Sequence, residues 1–288
     1  GGTPLSGSNP VTAVFVAGAV SAGGSSLSMN PPGPLTADGV AAYTLTVRAQ
    51  DANGNLNAGT AQTFSFSNPG AGATLSASTC TTPTTGAAAG TCSVTLSATL
   101  ASVFHVSASL GTTPVGGSNP VDARFVAGEA VAATARAIID AGPKLANGSD
   151  AYTIMASATD AFGNLDSSQP YTFSFNAGGA GAVLSSGSCT TATSGADAGT
   201  CAVSLKSTVA GNQSVSVSLG GQGLGGTNPL VGTFVAGPVS ASSARVSLSS
   251  GPRTANGTDA YTITASALDA NGNLNTAAAF TFSFSAPA

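Results

Sequence analysis

The chain has 288 residues, of which only 6% are charged, and a formal net charge of −4. Its seven Lys and Arg residues are scattered, so no basic surface for nucleic acid or an anionic membrane is predicted. Hydrophobic residues make up 42%, unlike the composition of disordered chains, yet no run approaches the 18 apolar residues of a membrane span. The opening residues lack the charged and apolar regions of a signal peptide, which points to a sequence that starts inside a longer protein.

The elements repeat with a period of 109 residues, one domain length. Tyr43, Leu45, Val47 and Ala49 alternate with Thr44, Thr46 and Arg48, as a strand with one buried face does. The pattern returns from Tyr152 to Ala158 and from Tyr261 to Ala267. Asp51-Ala52-Asn53-Gly54-Asn55 follows as a tight turn, because Asn-Gly tolerates positive φ. The next strand carries Phe64 and Phe66, with counterparts Phe173 and Phe175, then Phe282 and Phe284. A short apolar stretch near Leu75 leads to a cysteine loop, a strand with Val94 and Leu96, and one strand from Phe104 to Leu110. A last strand ends in Phe125-Val126-Ala127-Gly128, which also appears at Phe15 and Phe234. No helical period appears, and Gly and β-branched residues oppose one.

About seven short strands per unit predict an all-β chain of tandem immunoglobulin-like antiparallel β-sandwiches. Residues 1–18 read as the last strand of a preceding repeat, 19–128 and 129–237 as full repeats, and 238–288 as the first part of another. Each full repeat holds two cysteines with eleven residues between them. Of the three possible pairings, the repeat selects Cys80–Cys92 and Cys189–Cys201. Free thiols or a metal site are the alternatives, and the latter lacks histidines and C-x-x-C spacing. Disulfides imply an oxidising location. At this spacing they are expected not to link the two sheets.

The run Ala42–Asn55, with Thr63-Phe64-Ser65-Phe66, Gly72–Leu75 and Cys92–Leu96, resembles the bacterial immunoglobulin-like group 1 repeat of intimin and invasin stalks. Ser207-Thr208-Val209-Ala210-Gly211 before a Val-Ser-Val strand is similar to it as well. The cysteine pair departs from the common pattern of that family. The resemblance implies an extracellular or bacterial cell-surface protein in which the repeats act as spacer.

Other chemistry finds little support. His105, the only histidine, lies between inward-pointing Phe104 and Val106 and should face solvent. Asp51, Asp160 and Asp269 open runs that resemble a calcium loop, but the bidentate Glu is missing and Phe162 replaces Asn53, so the turn reading is preferred and no metal is expected. Asn147, Asn212 and Asn256 begin glycosylation sequons, read as chance matches. No cofactor and no catalytic constellation are expected. The predicted function is a stalk or fibre body supporting adhesion or biofilm cohesion. Its partners are other copies of itself, through nearly uncharged edges and faces, or a host or neighbouring cell surface. The alternative is a carbohydrate- or receptor-binding module, which a loop unlike its counterparts would reveal.

Overall fold

The computed structural model describes residues 2, 7 and 12–285. The chain forms two compact units, 1–128 and 129–288, and no described residue is helical. In the first unit the strands run β1 (Ser26–Asn30), β2 (Leu35–Thr36), β3 (Ala42–Arg48), β4 (Thr63–Phe66), β5 (Ala73–Leu75) and β6 (Thr79–Thr81). They continue with β7 (Thr91–Ala98), β8 (Val103–Val106), β9 (Ala108–Leu110), β10 (Thr113–Pro114) and β11 (Val121–Val126). One sheet has the order β1-β3-β7-β5. The facing layer consists of β10-β9-β4-β6 and β2-β11-β8.

The predicted alternation packs these layers. Tyr43, Leu45 and Val47 of β3 are fully buried, as are Leu96 of β7, Phe64 of β4 and Val106 of β8. Each such side chain stabilises the fold by about 1.5–3 kcal/mol through burial. The predicted strand from Phe104 to Leu110 is broken at Ser107, where the chain passes from pairing with β11 to pairing with β4. Ser67 holds the break, donating its amide to the Ser107 carbonyl at 2.9 Å and accepting the Ser107 amide on Oγ at 2.9 Å. Strand-to-strand pairing is antiparallel except where β2 runs parallel to the end of β11, a two-residue contact with no sequence signal, and Ser26 of β1 makes one parallel bridge to Gly116.

In the second unit, residues 129–237 repeat this plan. β12 (Arg136–Ile139), β14 (Ala151–Ser157), β18 (Thr200–Ser207) and β16 (Ala182–Leu184) form one sheet in the order β12-β14-β18-β16. The other has the order β13-β21-β19-β15-β17, from β13 (Lys144–Leu145), β21 (Leu230–Val235), β19 (Gly211–Leu219), β15 (Thr172–Gly178) and β17 (Ser188–Thr190), with β20 (Gln222–Gly223) beside β19. Here β19 is continuous where the first unit breaks.

Two expectations change toward the ends of the chain. Residues 12–18 contain no strand, and Phe15 is exposed; the rest of the predicted strand 1–18, apart from residues 2 and 7, lies outside the described residues. The predicted strand at Phe282 and Phe284 is not formed either, and Phe284 is exposed. In the first unit that strand is held by β6 and β9, and residues 238–285 hold no counterpart of either. There β22 (Arg245–Leu248) pairs with β23 (Ile263–Ser266), with isolated bridges at Val239–Asp269 and Leu268–Leu274, and Tyr261 and Ile263 are about half exposed.

Candidate functional site at the aspartate turns

The turns after β3, β14 and β23 share one geometry. The Asp51 amide donates to the Asn55 carbonyl at 3.0 Å, and the Gly54 amide to the Asp51 carbonyl at 3.0 Å. Gly54, Gly163 and Gly272 have φ of 82°, 85° and 84°, a region costly for a residue with a Cβ. Asp51 Oδ1 accepts the amides of Asn53 and Asn55, both at 2.9 Å. Asp160 Oδ1 does the same for Phe162 and Asn164, and Asp269 Oδ1 for Asn271 and Asn273. All three aspartates are buried.

The second carboxylate oxygen reaches out of the turn to the Phe-Val-Ala-Gly motif. Asp51 Oδ2 accepts the Gly18 amide at 2.8 Å, and Asp269 Oδ2 accepts the Gly237 amide at 2.9 Å. Two residues after the turn, Asn57 Nδ2 donates to the Gly18 carbonyl at 2.7 Å and Asn275 Nδ2 to the Gly237 carbonyl at 2.8 Å. Both polar groups of the joint glycine are therefore held by one loop of the repeat that follows it. The second repeat carries Asp166 at this asparagine position. Tyr171 Oη donates to Asp166 Oδ2 and accepts the Ala130 amide at 3.0 Å. Burial, followed by the Asp166 bond, raises the Tyr171 pKa.

In the second unit the turn also grips the preceding repeat. Asn271 Nδ2 donates to the Ala146 carbonyl and Asn273 Nδ2 to the Thr208 carbonyl, each at 3.0 Å. Asn273 Oδ1 accepts the Ala210 amide at 2.8 Å. Loops at the end of one repeat and the turn at the start of the next are thus joined across Gly237.

These donors bear on the calcium candidates. Asn55, above all, with the Gly18 amide next, holds the Asp51 carboxyl down at about 2. At Asp269 burial pushes upward but the Asn273 and Gly237 donors outweigh it, and the pKa is lowered. N–H groups aimed at the carboxylate present positive dipole ends where a cation would have to sit. Among the described residues no group of three or more His, Cys, Asp or Glu is placed to hold a metal ion.

The cysteines pair as Cys80–Cys92 and Cys189–Cys201. The expectation that they would not link the sheets is wrong. Cys80 lies in β6 and Cys92 in β7, on opposite layers, as do Cys189 in β17 and Cys201 in β18. The loop between them crosses from one layer to the other at the edge of the sandwich, and close sequence spacing conceals that step. His105 is exposed, with Nδ1 2.6 Å from Asp122 Oδ1 on the neighbouring strand. Asn147 and Asn256 serve as turn acceptors, each Oδ1 taking the amides two and three residues later.

Two facing sheets joined at their edge by a disulfide, and the same plan met again one period later, define a tandem immunoglobulin-like sandwich protein. Residues 25–126 match the family model of the bacterial Ig-like domain (group 1). No curated protein sequence matches it. Among solved structures, the Escherichia coli adhesin FdeC is 24% identical with a TM-score of 0.52, covering 91% of this chain and 79% of that one. Yersinia pseudotuberculosis InvD is 18% identical with a TM-score of 0.50, covering 88% and 73%. Invasin, described as a bacterial integrin-binding protein, is 23% identical with a TM-score of 0.45, and this chain spans 48% of its length. No helix among the described residues is long and apolar enough to cross a membrane.

Proposed function

We propose that this chain is a length of stalk from a bacterial cell-surface or extracellular protein, in which immunoglobulin-like repeats hold an adhesive or cohesive element away from the surface. The joint at Gly237 carries the reading. Gly237 is tied by both its amide and its carbonyl to Asp269 and Asn275, and Asn271 and Asn273 reach back to three backbone groups of the preceding repeat. A flexible linker would leave such groups to water; a spacer that resists folding back on itself needs them fixed. The aspartate turn at Asp269 is, on this reading, the part that holds residues 238–288 to the repeat before them.

The likeness to adhesins supports the fold, and the reading as a surface protein draws on the same class. The disulfides suit an oxidising compartment. The boundaries 19–128, 129–237 and 238–288 fit this reading, with Gly18, Gly128 and Gly237 as joint residues. Small-angle X-ray scattering of the 288-residue chain tests it. An elongated particle whose cross-section is that of one sandwich supports a stalk; a compact particle of the same mass overturns it.

A further inference from the structure

Repeats that serve only as spacers have no reason to differ on their solvent faces, yet the outer face of the β12-β14-β18-β16 sheet departs from its counterparts. Ile138 pairs directly with Met155, and Met155 with Ala202, so the three make one row across three strands. All three are exposed, Ile138 at 56% and Met155 at 37%. Their immediate chain neighbours Ile154, Ala156 and Val203 point into the core, so the row belongs to the outside. In the first repeat the same row is Ser28, Thr46 and Ser93, tied by a 2.8 Å hydroxyl contact between Thr46 and Ser93. In residues 238–288 it is Ser247 beside Thr264. Only the second repeat offers an apolar row there, and exposed apolar side chains in such a row favour contact with another surface.

Charge on the same strand states what that surface is. Arg136 and Asp140 lie two residues to either side of Ile138 on the same face, both exposed. Asp140 Oδ1 accepts the Thr153 amide at 2.7 Å, and Lys144 Nζ lies 3.4 Å from Oδ2. When two copies of this face meet about a two-fold axis through Ile138, with strands antiparallel, Arg136 of each copy falls opposite Asp140 of the other. Extended-chain geometry places those residues about 13 Å apart along the chain, Asp140 just past the end of β12, and facing sheets pack about 10 Å apart, within reach of an arginine side chain. Self-complementary surfaces of this kind are what a two-fold contact requires.

We infer that the Ile138–Met155–Ala202 face is a lateral contact to a second copy of this chain. The inference goes beyond the stalk reading and stands apart from it, because a rod without this contact is still a stalk. The contact is small, so one pair of chains associates weakly, and many copies on one surface gain from multivalency.

Sedimentation equilibrium of the 288-residue chain up to about 1 mM tests it. A monomer–dimer equilibrium weakened by salt is expected. Ile138→Ser with Met155→Thr installs residues that the first repeat already carries on this row, so the fold is retained, and dimerisation weakens about tenfold or more. Arg136→Asp and Asp140→Arg each weaken it alone, while an equimolar mixture of the two restores it, since both contacts regain opposite charges. Thermal melts of each variant show that folding is intact. A chain that stays monomeric throughout, a dimer indifferent to the Ile138 and Met155 changes, or a mixture that fails to restore association overturns the inference. Scattering recorded at concentrations well below the dimerisation range reports the single chain, so the stalk reading is tested separately.

Discussion

Asp269 Oδ2 accepts the amide of Gly237, 32 residues earlier in the chain, at 2.9 Å, and Asp51 does the same for Gly18 at 2.8 Å. One side chain thereby closes its own turn with one oxygen and fixes the joint to the preceding repeat with the other. A turn read as surface punctuation is in fact a buried structural node.

The node gives the fold a dependence on acid. The Asp51 carboxyl sits at about 2, below its ordinary 3.8. Its contribution to stability is fully present above pH 4 and is lost as the pH falls from about 4 through about 2. Thermal melts at pH 6, 3 and 2 should show the first unit weakening across that window. Asp51→Asn should flatten this part of the profile and lower stability at pH 6, because its amide opposes donors with donors.

The tyrosines of β3 and β14 tie the two sheets of each sandwich. Tyr43 Oη donates to the Arg124 carbonyl at 2.7 Å and Tyr152 Oη to the Thr233 carbonyl at 2.8 Å. Each ring meets a phenylalanine of the opposite sheet edge-on, Phe125 at 5.1 Å and Phe234 at 5.2 Å. Tyr43→Phe and Tyr152→Phe should each cost about 1 kcal/mol, the net worth of one hydrogen bond, in urea titration of the chain. Tyr261→Phe, at a position 45% exposed, should cost nothing measurable.

Each disulfide joins the layers through a sequence separation of 12. Cys189→Ala with Cys201→Ala should remove about 3 kcal/mol from the second unit by freeing the unfolded chain. A denaturant midpoint that moves for this variant, with the first unit's midpoint unmoved, is the expected result. Equal loss in both units would contradict the independence of the two cores.

Much of this was legible in residues. The alternation from Tyr43 to Ala49 names the buried face directly, because a pleated strand sends successive side chains to opposite sides. The cysteine pairing followed from the repeat alone. The crossing of the disulfide between sheets did not, since a short loop at a sandwich edge looks the same in sequence as a hairpin within one sheet. The break at Ser107 was hidden because Phe104, Val106, Ala108 and Leu110 keep one period through it. Phe282 and Phe284 carry the strand pattern of Phe64 and Phe66 without the neighbours that would hold them in a sheet, so pattern alone misled. The recurring Phe-Val-Ala-Gly ending marks the joint in the sequence, but what holds it does not show there: the contact between Asp269 and Gly237 is set by tertiary placement, and its signal was the pairing of two separate motifs at a constant offset of 32 or 33 residues in every repeat.

Asn273 links the turn to the repeat before it, through the Thr208 carbonyl and the Ala210 amide. Asn273→Ala should speed hydrogen exchange at Ala210 by about tenfold, one net hydrogen bond. Exchange in β14 and β18 should be unchanged, because those strands draw their protection from the core.

The claim that the aspartate turn fixes successive repeats is tested most directly by amide hydrogen exchange at Gly237, measured by NMR in the unaltered chain and in Asp269→Ala. The account predicts a protected Gly237 amide that becomes as fast as an open linker when the carboxylate is removed, with the core strands β14 and β18 unaffected. A Gly237 amide that exchanges at unprotected rates in the unaltered chain would contradict it.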